Sequence, residues 1–535
     1  MKSAVVYFSK NELFCLHVAY GISSLKKVNE NKVSSFFIED DNLEKYTSMI
    51  IGLQPDMIII FVSFHCYELL KRCSSALKKN LPMTKIVICH SVASSLAHKI
   101  LTDIKSIDIA IIGEFENVLT DLCICMSEKK NYYQCHGIAY YKNDNFIINK
   151  PKSINDISNL SYPDRDSFEH NSRYFHVLGS RGCERNCAFC DRNYLWKITG
   201  NVKQCFRSID DIVTEIDYLV DQYNCKMINF YDSTFCSNTN IKERLEELYK
   251  ALISKKYWVQ FSICLRAEQI DEDVAQILKK LKIVGLGKVF LGIESFNKND
   301  LKNYNKSSSV MQNNNALRIL NNTNIFQNEY YLKVGCGFIN FNPYTTKETL
   351  KQNVNGLIRN AIPLDPYILT SRVSLNYMTK MTERVDYENL FKVEIKKCTL
   401  PQLMTRRFPY NFLNLEVQEI YDLLMLCKRR LEYRNITGAE FIRNRYLHFF
   451  GCDKSLDEYN SAYQKRIKEV DLFSRMIFNQ ICEDKTDFIS KKEKVITMTD
   501  QFKPEFSKLN NKFQCAKRSI AIKLMKIDEL IYNKI

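Results

Sequence analysis

Short apolar runs alternate with segments of helical periodicity over the first 130 residues of the chain. Four apolar runs have the length of buried strands: Ala4–Phe8, Met57–Val62, Ile86–Cys89 and Ile107–Ile112. The segments between them, such as Cys66–Lys79 and Ser94–Leu101, space their apolar residues as helices do. Strands that alternate with helices predict a doubly wound α/β domain with a parallel sheet. Ligands of such sheets bind at the carboxyl ends of the strands.

The pattern changes between residues 131 and 172. Gly137–Tyr141 and Phe146–Ile148 are short apolar runs on either side of Asn143–Asn145, which is typical of a hairpin turn. A polar stretch with Pro151 and Pro163 follows. We therefore predict a hairpin and a linker after a first domain that covers residues 1–130.

From residue 173 the alternation becomes more regular. Six candidate strands follow one another with helical segments between them: Tyr174–Leu178, Met227–Tyr231, Val259–Cys264, Lys288–Ile293, Lys333–Ile339 and Tyr367–Val373. Ser208 is a good N-cap for the clearest of these helices, whose apolar face begins at Ile209. This pattern predicts a partial (β/α)6 TIM-like barrel over residues 173–375, with its chemistry on the loops that leave the strand ends.

Strand patterns fade after residue 375, where Val417–Leu431 and Arg518–Tyr532 have amphipathic helical spacing. We predict a mostly helical C-terminal domain over residues 376–535. The apolar runs are well short of the ~18–20 residues needed to cross a bilayer. The first residues have neither the apolar region nor the cleavage site of a signal peptide. We therefore expect a cytoplasmic protein with no membrane partner.

The composition is that of a globular protein with reduced thiols. Apolar residues make up 45% and charged residues 26%, which excludes wholesale disorder. In a chain with no secretion signal, the 20 cysteines indicate free thiols, with a few available for a metal. The net charge of +15 would suit an acidic partner or nucleic acid. Mixed lysines and glutamates on helices are more typical of solvated faces, so nucleic acid is not an expected partner.

Three cysteines form the most informative pattern in the chain. Cys183, Cys187 and Cys190 are spaced four and then three residues apart, just after a candidate strand. Thiols on such a short loop can converge on a metal. A structural zinc site needs a fourth ligand, and Cys205 and Cys225 do not form a second pair. An iron–sulfur cubane with one open iron needs only three ligands, so the count favours a 4Fe–4S cluster and leaves zinc as the alternative.

The motif Cys-x-x-x-Cys-x-aromatic-Cys at the end of a first barrel strand resembles the radical S-adenosylmethionine (SAM) superfamily. Further elements follow in the family's order: Asp232-Ser233 after the second strand, Arg266 at the end of the third and Glu294-Ser295 at the end of the fourth. The resemblance implies that Cys183, Cys187 and Cys190 hold three irons of a 4Fe–4S cluster. It further implies that the fourth iron chelates SAM, whose reductive cleavage yields a 5′-deoxyadenosyl radical. The SAM-binding residues that it implies are Phe189, Asp232, Ser233, Arg266, Glu294 and Ser295.

The N-terminal sheet resembles the Rossmann-like domain of the cobalamin-dependent branch of this superfamily. Gly113-Glu114-Phe115-Glu116 matches that branch's Gly-Glu-x-Glu element. There the corrinoid lies between the carboxyl edge of the sheet and the barrel, and methylcobalamin donates a methyl group to the substrate radical. The resemblance therefore implies bound cobalamin. The cobalamin-binding residues that we predict are Ser63, Ser91, Gly113 and Glu114.

This chain departs from the branch at two points. Cys89-His90 stands where a glycine pair usually follows the strand, and glycine there allows the close approach of the cofactor. The chain also has no Asp-x-His-x-x-Gly element, so no residue is identified as a lower ligand to cobalt.

The sequence thus predicts a radical SAM enzyme that uses cobalamin to methylate an unactivated carbon of a peptide or small metabolite. Its expected partners are that substrate and a one-electron reductant such as flavodoxin or ferredoxin. Two other enzymes stay open: a cobalamin-independent radical SAM enzyme that catalyses epimerisation, cyclisation or rearrangement, and a tRNA-modifying methylthiotransferase. A zinc-stabilised nucleic-acid-binding protein is the non-enzyme alternative. No catalytic acid or base is identified.

Overall fold

The computed structural model of the chain describes residues 1–535 except 154–155, 159, 169–172, 193, 202, 323–328, 378, 393–394, 405–407, 437 and 533–535. These residues divide into two units. The first comprises Met1–Cys225, Tyr231–Ser233 and Ser374–Pro409. The second comprises Lys226–Phe230, Thr234–Val373 and Tyr410–Ile535.

The described strands are β1 (Lys2–Tyr7), β2 (Lys32–Phe37), β3 (Met57–Phe61), β4 (Lys85–Cys89), β5 (Ile109–Ile111), β6 (Ile138–Lys142), β7 (Asn145–Ile148), β8 (Tyr174–Val177), β9 (Ser180–Arg181), β10 (Cys205–Phe206), β11 (Met227–Phe230), β12 (Gln260–Arg266), β13 (Leu286–Glu294) and β14 (Lys333–Phe338). The described helices are α1 (Glu12–Lys26), α2 (Leu43–Leu53), α3 (Tyr67–Asn80), α4 (Ser91–Asp103), α5 (Glu116–Ser127), α6 (Tyr194–Ile198), α7 (Ile209–Tyr223), α8 (Ile241–Ile253), α9 (Glu272–Ile283), α10 (Lys298–Asn303), α11 (Val310–Asn322), α12 (Lys347–Arg359), α13 (Pro366–Leu369), α14 (Lys380–Tyr387), α15 (Leu400–Leu403), α16 (Leu415–Arg430), α17 (Ala439–Phe450), α18 (Lys454–Glu483) and α19 (Phe488–Tyr532).

The first unit is built on a seven-stranded sheet in the order β2-β1-β3-β4-β5-β6-β7. Its first five strands are parallel, and in the register Val5 pairs with Ile59, which pairs with Val87. Every residue of β3 is fully buried, as expected for a parallel strand with both faces covered. The predicted parallel α/β sheet is confirmed. β2 was not predicted, because its KVSSFF sequence has serines where a buried strand would be apolar.

The predicted hairpin is also present, as β6 and β7. Asn143 and Asp144 both have positive φ values, 48° and 61°, which a tight hairpin turn requires and asparagine and aspartate tolerate. β6 pairs antiparallel with β5 and places Ala139 beside Ala110. The hairpin therefore extends the first sheet as its antiparallel edge.

The second unit contains a sheet in which β14, β13, β12 and β11 are neighbours in that order and run parallel. One face of it is apolar and at most 2% exposed at Ile263, Leu265, Val289 and Leu291. α9 packs against β13, and the helices that follow each strand supply the crossovers of successive β/α units. These four strands are the predicted second to fifth strands of the barrel.

The predicted sixth strand, Tyr367–Val373, is wrong. Its first half forms α13, because Asp365 accepts hydrogen bonds from the Tyr367 and Ile368 N–H groups at 2.7 Å each and Pro366 occupies the first turn. Only Arg372 makes an isolated β-bridge, with Phe341. The apolar residues of this segment therefore match a capped helical turn as well as they match a strand.

The predicted helical C-terminal region is confirmed by α16 to α19. Residues 374–409, however, belong to the first unit, where Leu403, Met404 and Phe408 join the core of its sheet. In the described part of the chain, no helix is long and apolar enough to cross a bilayer. The predicted domain boundaries and the cytoplasmic location remain predictions.

Candidate functional site

The three motif cysteines lie on an irregular loop of the first unit that follows β9. Cys183, Cys187 and Cys190 form no disulfide among the described residues and have intermediate exposure. The Cys190 N–H donates to the Cys187 carbonyl at 3.2 Å, which closes a turn, and the Cys183 Sγ accepts from the Arg185 N–H at 3.4 Å. A helix would direct side chains at this spacing around its axis, whereas the loop keeps the three thiols on one short segment.

Neighbouring residues hold this loop in place. Gly182 begins it with a φ of 83°, and a Cβ there would come within 2.3 Å of the Trp196 indole. Only glycine fits such a position. Farther along the loop, the Met381 N–H donates to the Ala188 carbonyl at 2.9 Å. These contacts fix both ends of the cysteine loop to the rest of the first unit.

The chemistry of the loop fits an iron–sulfur cluster. Among the described residues no three His, Cys, Asp or Glu side chains converge closely enough to hold a single metal ion. The thiols of a cubane lie farther apart, because each binds a different iron. Burial raises the pKa of the Cys190 thiol to about 11, so its thiolate needs a nearby positive charge such as iron provides. The three cysteines would hold the cluster.

A cavity of about 1250 Å³ opens at the carboxyl ends of β1, β3, β4 and β5. This is the edge at which parallel α/β sheets bind ligands. All four predicted cobalamin-binding residues line the cavity: Ser63, Ser91, Gly113 and Glu114. Asp191 and Arg192, which follow the cysteine loop, line it as well. The volume exceeds the roughly 300–1,000 Å³ of ordinary small-molecule pockets, and it would suit a large cofactor.

A buried ion-pair cluster lies beneath this cavity. The Arg181 guanidinium pairs with the carboxylates of both Glu114 and Glu116, and its exposed side-chain fraction is 8%. Burial raises the pKa of Glu114, which the charge of Arg181 opposes. The Gly-Glu-x-Glu element is therefore fixed by an arginine that stands two residues before the first motif cysteine. Sequence reasoning missed Arg181, although a cation beside the motif and a Glu-x-Glu element could have suggested the pairing.

Two histidines line the same cavity. The rings of His17 and His90 lie 4.9 Å apart, and the His90 ring also packs edge-on against Phe14 at 5.1 Å. Burial lowers the pKa of His90 to about 4 and lowers that of His17 well below its ordinary value. Both imidazoles are therefore neutral at pH 7. His17 is on α1, where helical spacing alone did not distinguish it from core residues.

The predicted SAM residues of the first unit have different environments. Phe189 lies within the cysteine loop and is partly exposed. Asp232 is fully buried, and its carboxylate accepts the Gly179 N–H at 3.2 Å. Ser233 lines the cavity. The structure thus places Ser233 at the same cavity as the predicted cobalamin-binding residues. The hydrogen bond from Gly179 gives Asp232 a structural role in addition to its predicted one.

Arg266 ends β12 in the second unit and is 6% exposed. Its Nη2 donates to Asn238 Oδ1 at 2.6 Å, and its Nε lies 3.2 Å from Glu268 Oε1. Its buried Nη1 has no hydrogen-bond partner among the described residues. An unsatisfied guanidinium nitrogen is costly, and a ligand carboxylate would satisfy it.

Glu294 ends β13 with a φ of 63°, at an irregularity in the pairing with β14. Its carboxylate lies 3.6 Å from the Lys306 ammonium, and burial raises the pKa of Glu294. Ser295 is fully buried, and its hydroxyl bonds to Asp300 and Asn353 in a polar network that fixes the following turn. The SAM-binding roles of both residues remain predictions.

Residues 177–352 match the family model of the radical SAM superfamily. This segment contains the cysteine loop and the strands β11 to β14. The chain therefore carries a radical SAM domain, as its cysteine motif predicts. Members of this family use a 4Fe–4S cluster and SAM.

Solved structures extend the likeness to the whole chain. The cobalamin-dependent SAM radical enzyme OxsB, in a structure with aqua-cobalamin bound, matches with a TM-score of 0.72 at 17% identity and covers 100% of this chain and 81% of its own. The radical SAM methyltransferase TsrM from Kitasatospora setae, with cobalamin and a [4Fe-4S] cluster bound, matches with a TM-score of 0.60 at 12% identity. That match covers 89% of this chain and 99% of TsrM. At such identities the likeness shows the fold, which is that of cobalamin-dependent radical SAM enzymes.

Curated relatives match parts of the sequence. The anaerobic magnesium-protoporphyrin IX monomethyl ester cyclase of Cereibacter sphaeroides is 24% identical over 63% of this chain and 55% of its own length. The 4′-phospho-dehydrooxetanocin synthase of Priestia megaterium is 23% identical over 59% of this chain and 44% of its own. The chain thus spans about half the length of the curated relatives that it matches.

Proposed function

We propose that this radical SAM enzyme is a cobalamin-dependent methyltransferase that acts on an unactivated carbon of a small metabolite or peptide. The observation that carries the proposal is the large cavity at the carboxyl edge of the first sheet, which all four predicted cobalamin residues line. The cobalamin bound by OxsB and TsrM, whose folds this chain shares, supports the same assignment.

The residues of the chain would have distinct tasks. Cys183, Cys187 and Cys190 would hold the cluster as thiolates, while the Nη1 of Arg266 would bind a carboxylate such as that of SAM. Arg181 would keep Glu114 ionised and in place at the cavity. When bound, the cluster and SAM supply a carbon-centred radical, and cobalamin supplies a methyl group. A one-electron reductant such as flavodoxin or ferredoxin would be the redox partner.

Cleavage of SAM tests the radical part of this proposal. We expect the anaerobically reconstituted chain, reduced with dithionite, to form 5′-deoxyadenosine, and a Cys183→Ser variant to lose at least ~99% of that activity because the cluster loses a ligand. The product is measured by liquid chromatography and mass spectrometry. Cys205→Ser is the matched control, since Cys205 is also partly exposed and forms no disulfide among the described residues, but lies outside the motif. Undiminished cleavage by Cys183→Ser would contradict the assignment.

A further inference from the structure

The face of the second sheet opposite its apolar side is polar and open. Residues paired in a parallel sheet share a face, so the register places three rows side by side. These rows are Ser262–Lys288–Lys333, Cys264–Phe290–Gly335 and Arg266–Gly292–Gly337. Phe290, at the centre, is 39% exposed although it is a large apolar side chain. We call these rows the inner face.

Lys288 places a cation on the inner face. Its ammonium is partly buried and lies 5.9 Å from the centre of the Phe290 ring, but it makes no hydrogen bond or ion pair with any described residue. Burial lowers the pKa of Lys288, and the Glu440 carboxylate opposes this shift only in part. An unpaired charge withdrawn from water is costly unless a partner arrives.

The nearest charges leave this part of the face positive. Lys333 pairs with Lys288 in the register of the sheet, and its ammonium lies 3.4 Å from the carboxylate of Glu440 on α17. Glu440 is 3% exposed. Two lysines therefore share one carboxylate, and the surplus positive charge lies on Lys288. An anion is the ligand that this arrangement lacks.

Glycine at position 335 lets the side chains of Lys288 and Phe290 lie close against the sheet. A Cβ on Gly335 would come within 2.9 Å of Lys288 Cε and 3.2 Å of the Phe290 ring. Any side chain at position 335 would therefore displace both groups. Gly292 and Gly337 pair with each other one row farther along, and the Glu294 carboxylate covers both, since a Cβ there would come within 3.0 and 3.3 Å of it. A flat group can therefore lie only against the exposed part of the Phe290 ring, on the side of Lys288.

We propose that the inner face binds a substrate with an anionic group, a phosphate or a carboxylate, attached to a planar ring. Lys288 holds the anion and Phe290 packs against the ring. Arg266 and Glu294 are at the carboxyl end of the same face, six residues or about 20 Å along β13 from Lys288. The anion therefore lies at the end of the face away from the predicted SAM residues. The identification of this ligand as the substrate rests on the proposed function. The binding of an anion at Lys288 does not depend on that function.

Isothermal titration of the full, cluster-reconstituted chain with SAM present tests the site. The probes are 1-naphthyl phosphate and 1-naphthoate, with 1-naphthol as the neutral comparison. We expect the better anion to bind at least ~10-fold more tightly than the neutral probe, and Lys288→Gln to remove that preference. The stronger of the two anionic probes identifies the anion. Lys279→Gln on α9 is the matched control, because Lys279 is exposed.

A second measurement separates binding from folding. Because Lys288 is partly withdrawn from water without an ion pair of its own, Lys288→Gln should raise the unfolding temperature while it lowers affinity for the anionic probes. Equal affinity of the wild-type chain for charged and neutral probes would overturn the inference, as would unchanged binding by Lys288→Gln. Iron and cobalt contents are measured on the same samples. A chain that binds the anion but holds no cobalt would refute the cobalamin assignment and leave this inference intact.

Discussion

His90 follows β4 with a φ of 88° and a ψ of −179°. This region of backbone space is almost restricted to glycine and costs other residues about 1–3 kcal/mol. The position is the one where the cobalamin-dependent branch that the sequence resembles usually has a glycine, and this chain has the glycine conformation with histidine in it. The imidazole packs on Phe14 and His17, which compensates part of the strain.

The strain at His90 predicts an unusual order of stabilities. His90→Gly should be more stable than His90→Ala by about 1 kcal/mol, because both variants lose the ring but only glycine relaxes the backbone. Urea unfolding of the two variants measures the difference. The exposed His98 on α4 is the control: there alanine should be better than glycine by about 1 kcal/mol. Equal stabilities at position 90 would show that the backbone is unstrained.

Single residues were predictable where a pattern fixes their chemistry. The structure places Cys183, Cys187 and Cys190 on one loop and Gly113 and Glu114 at the cavity, and their roles as ligand-binding residues stay predictions. Arg181 was not predicted, because its role becomes visible only when the structure shows the two carboxylates that surround it. Those carboxylates are about 65 residues distant in sequence.

Helices and strands were predictable where all residues of the element, or all residues on one of its faces, are buried. β3 lies in the middle of a sheet and is apolar throughout, whereas the edge strand β2 is half-buried and has no such signal. The apolar run that begins at Tyr367 has the composition of a strand, but it forms part of the helix α13 because Asp365 caps that helix and Pro366 occupies its first turn. The periodicity of apolar residues indicates which side chains are buried. It therefore does not identify a strand that is half-exposed, such as β2, or a short helix that is set by its cap, such as α13.

Three histidines of the first unit are neutral at pH 7, and they predict an acid-sensitive fold. Burial lowers the pKa of His90 and of His176 on β8 to about 4, and that of His17 on α1 well below 6.5. Since the folded values lie below the unfolded ones, the unfolded chain binds more protons between pH 4 and 6.5. Stability is complete above pH 6.5 and is lost toward pH 4, at up to about 1.4 kcal/mol per pH unit for each histidine.

Urea midpoints at pH 5 and pH 7.5 test this expectation. The midpoint should fall on acidification, and it should fall less in a His176→Gln variant, which has one fewer group to protonate. His98→Gln is the control, because its side chain is exposed. A midpoint that falls equally in the wild-type chain and in His176→Gln would assign the acid sensitivity to other groups.

At the scale of the whole molecule, the sequence predicted the order of the two sheets and the helical region, but it did not predict that a late segment of the chain packs with the first unit. Alternation of strands and helices predicted a first sheet, a barrel-type unit and a helical end. Nothing in the local pattern indicates that residues 374–409 rejoin the first unit, where the His65 N–H donates to the Met404 carbonyl at 3.1 Å. Such packing depends on contacts between residues that are far apart in the sequence, and local periodicity carries no information about those contacts.

The two units together suit an enzyme that handles several ligands. The first unit contains the cysteine loop and the large cavity, and the second contains Arg266, Glu294 and the inner face with Lys288. Under the proposed function, these features would take ligands of different chemistry: iron, a corrinoid, the carboxylate of SAM and a substrate anion. The match to the radical SAM family covers only residues 177–352 of the 535.

The central claim is tested most directly by the metal content of the chain. After anaerobic purification with cobalamin supplied, we predict about four irons and one cobalt per chain by elemental analysis. A variant with all three motif cysteines changed to serine should lose the iron and keep the cobalt, since the residues that line the cavity include none of the three cysteines. Zinc in place of iron, or iron without cobalt, would contradict the account.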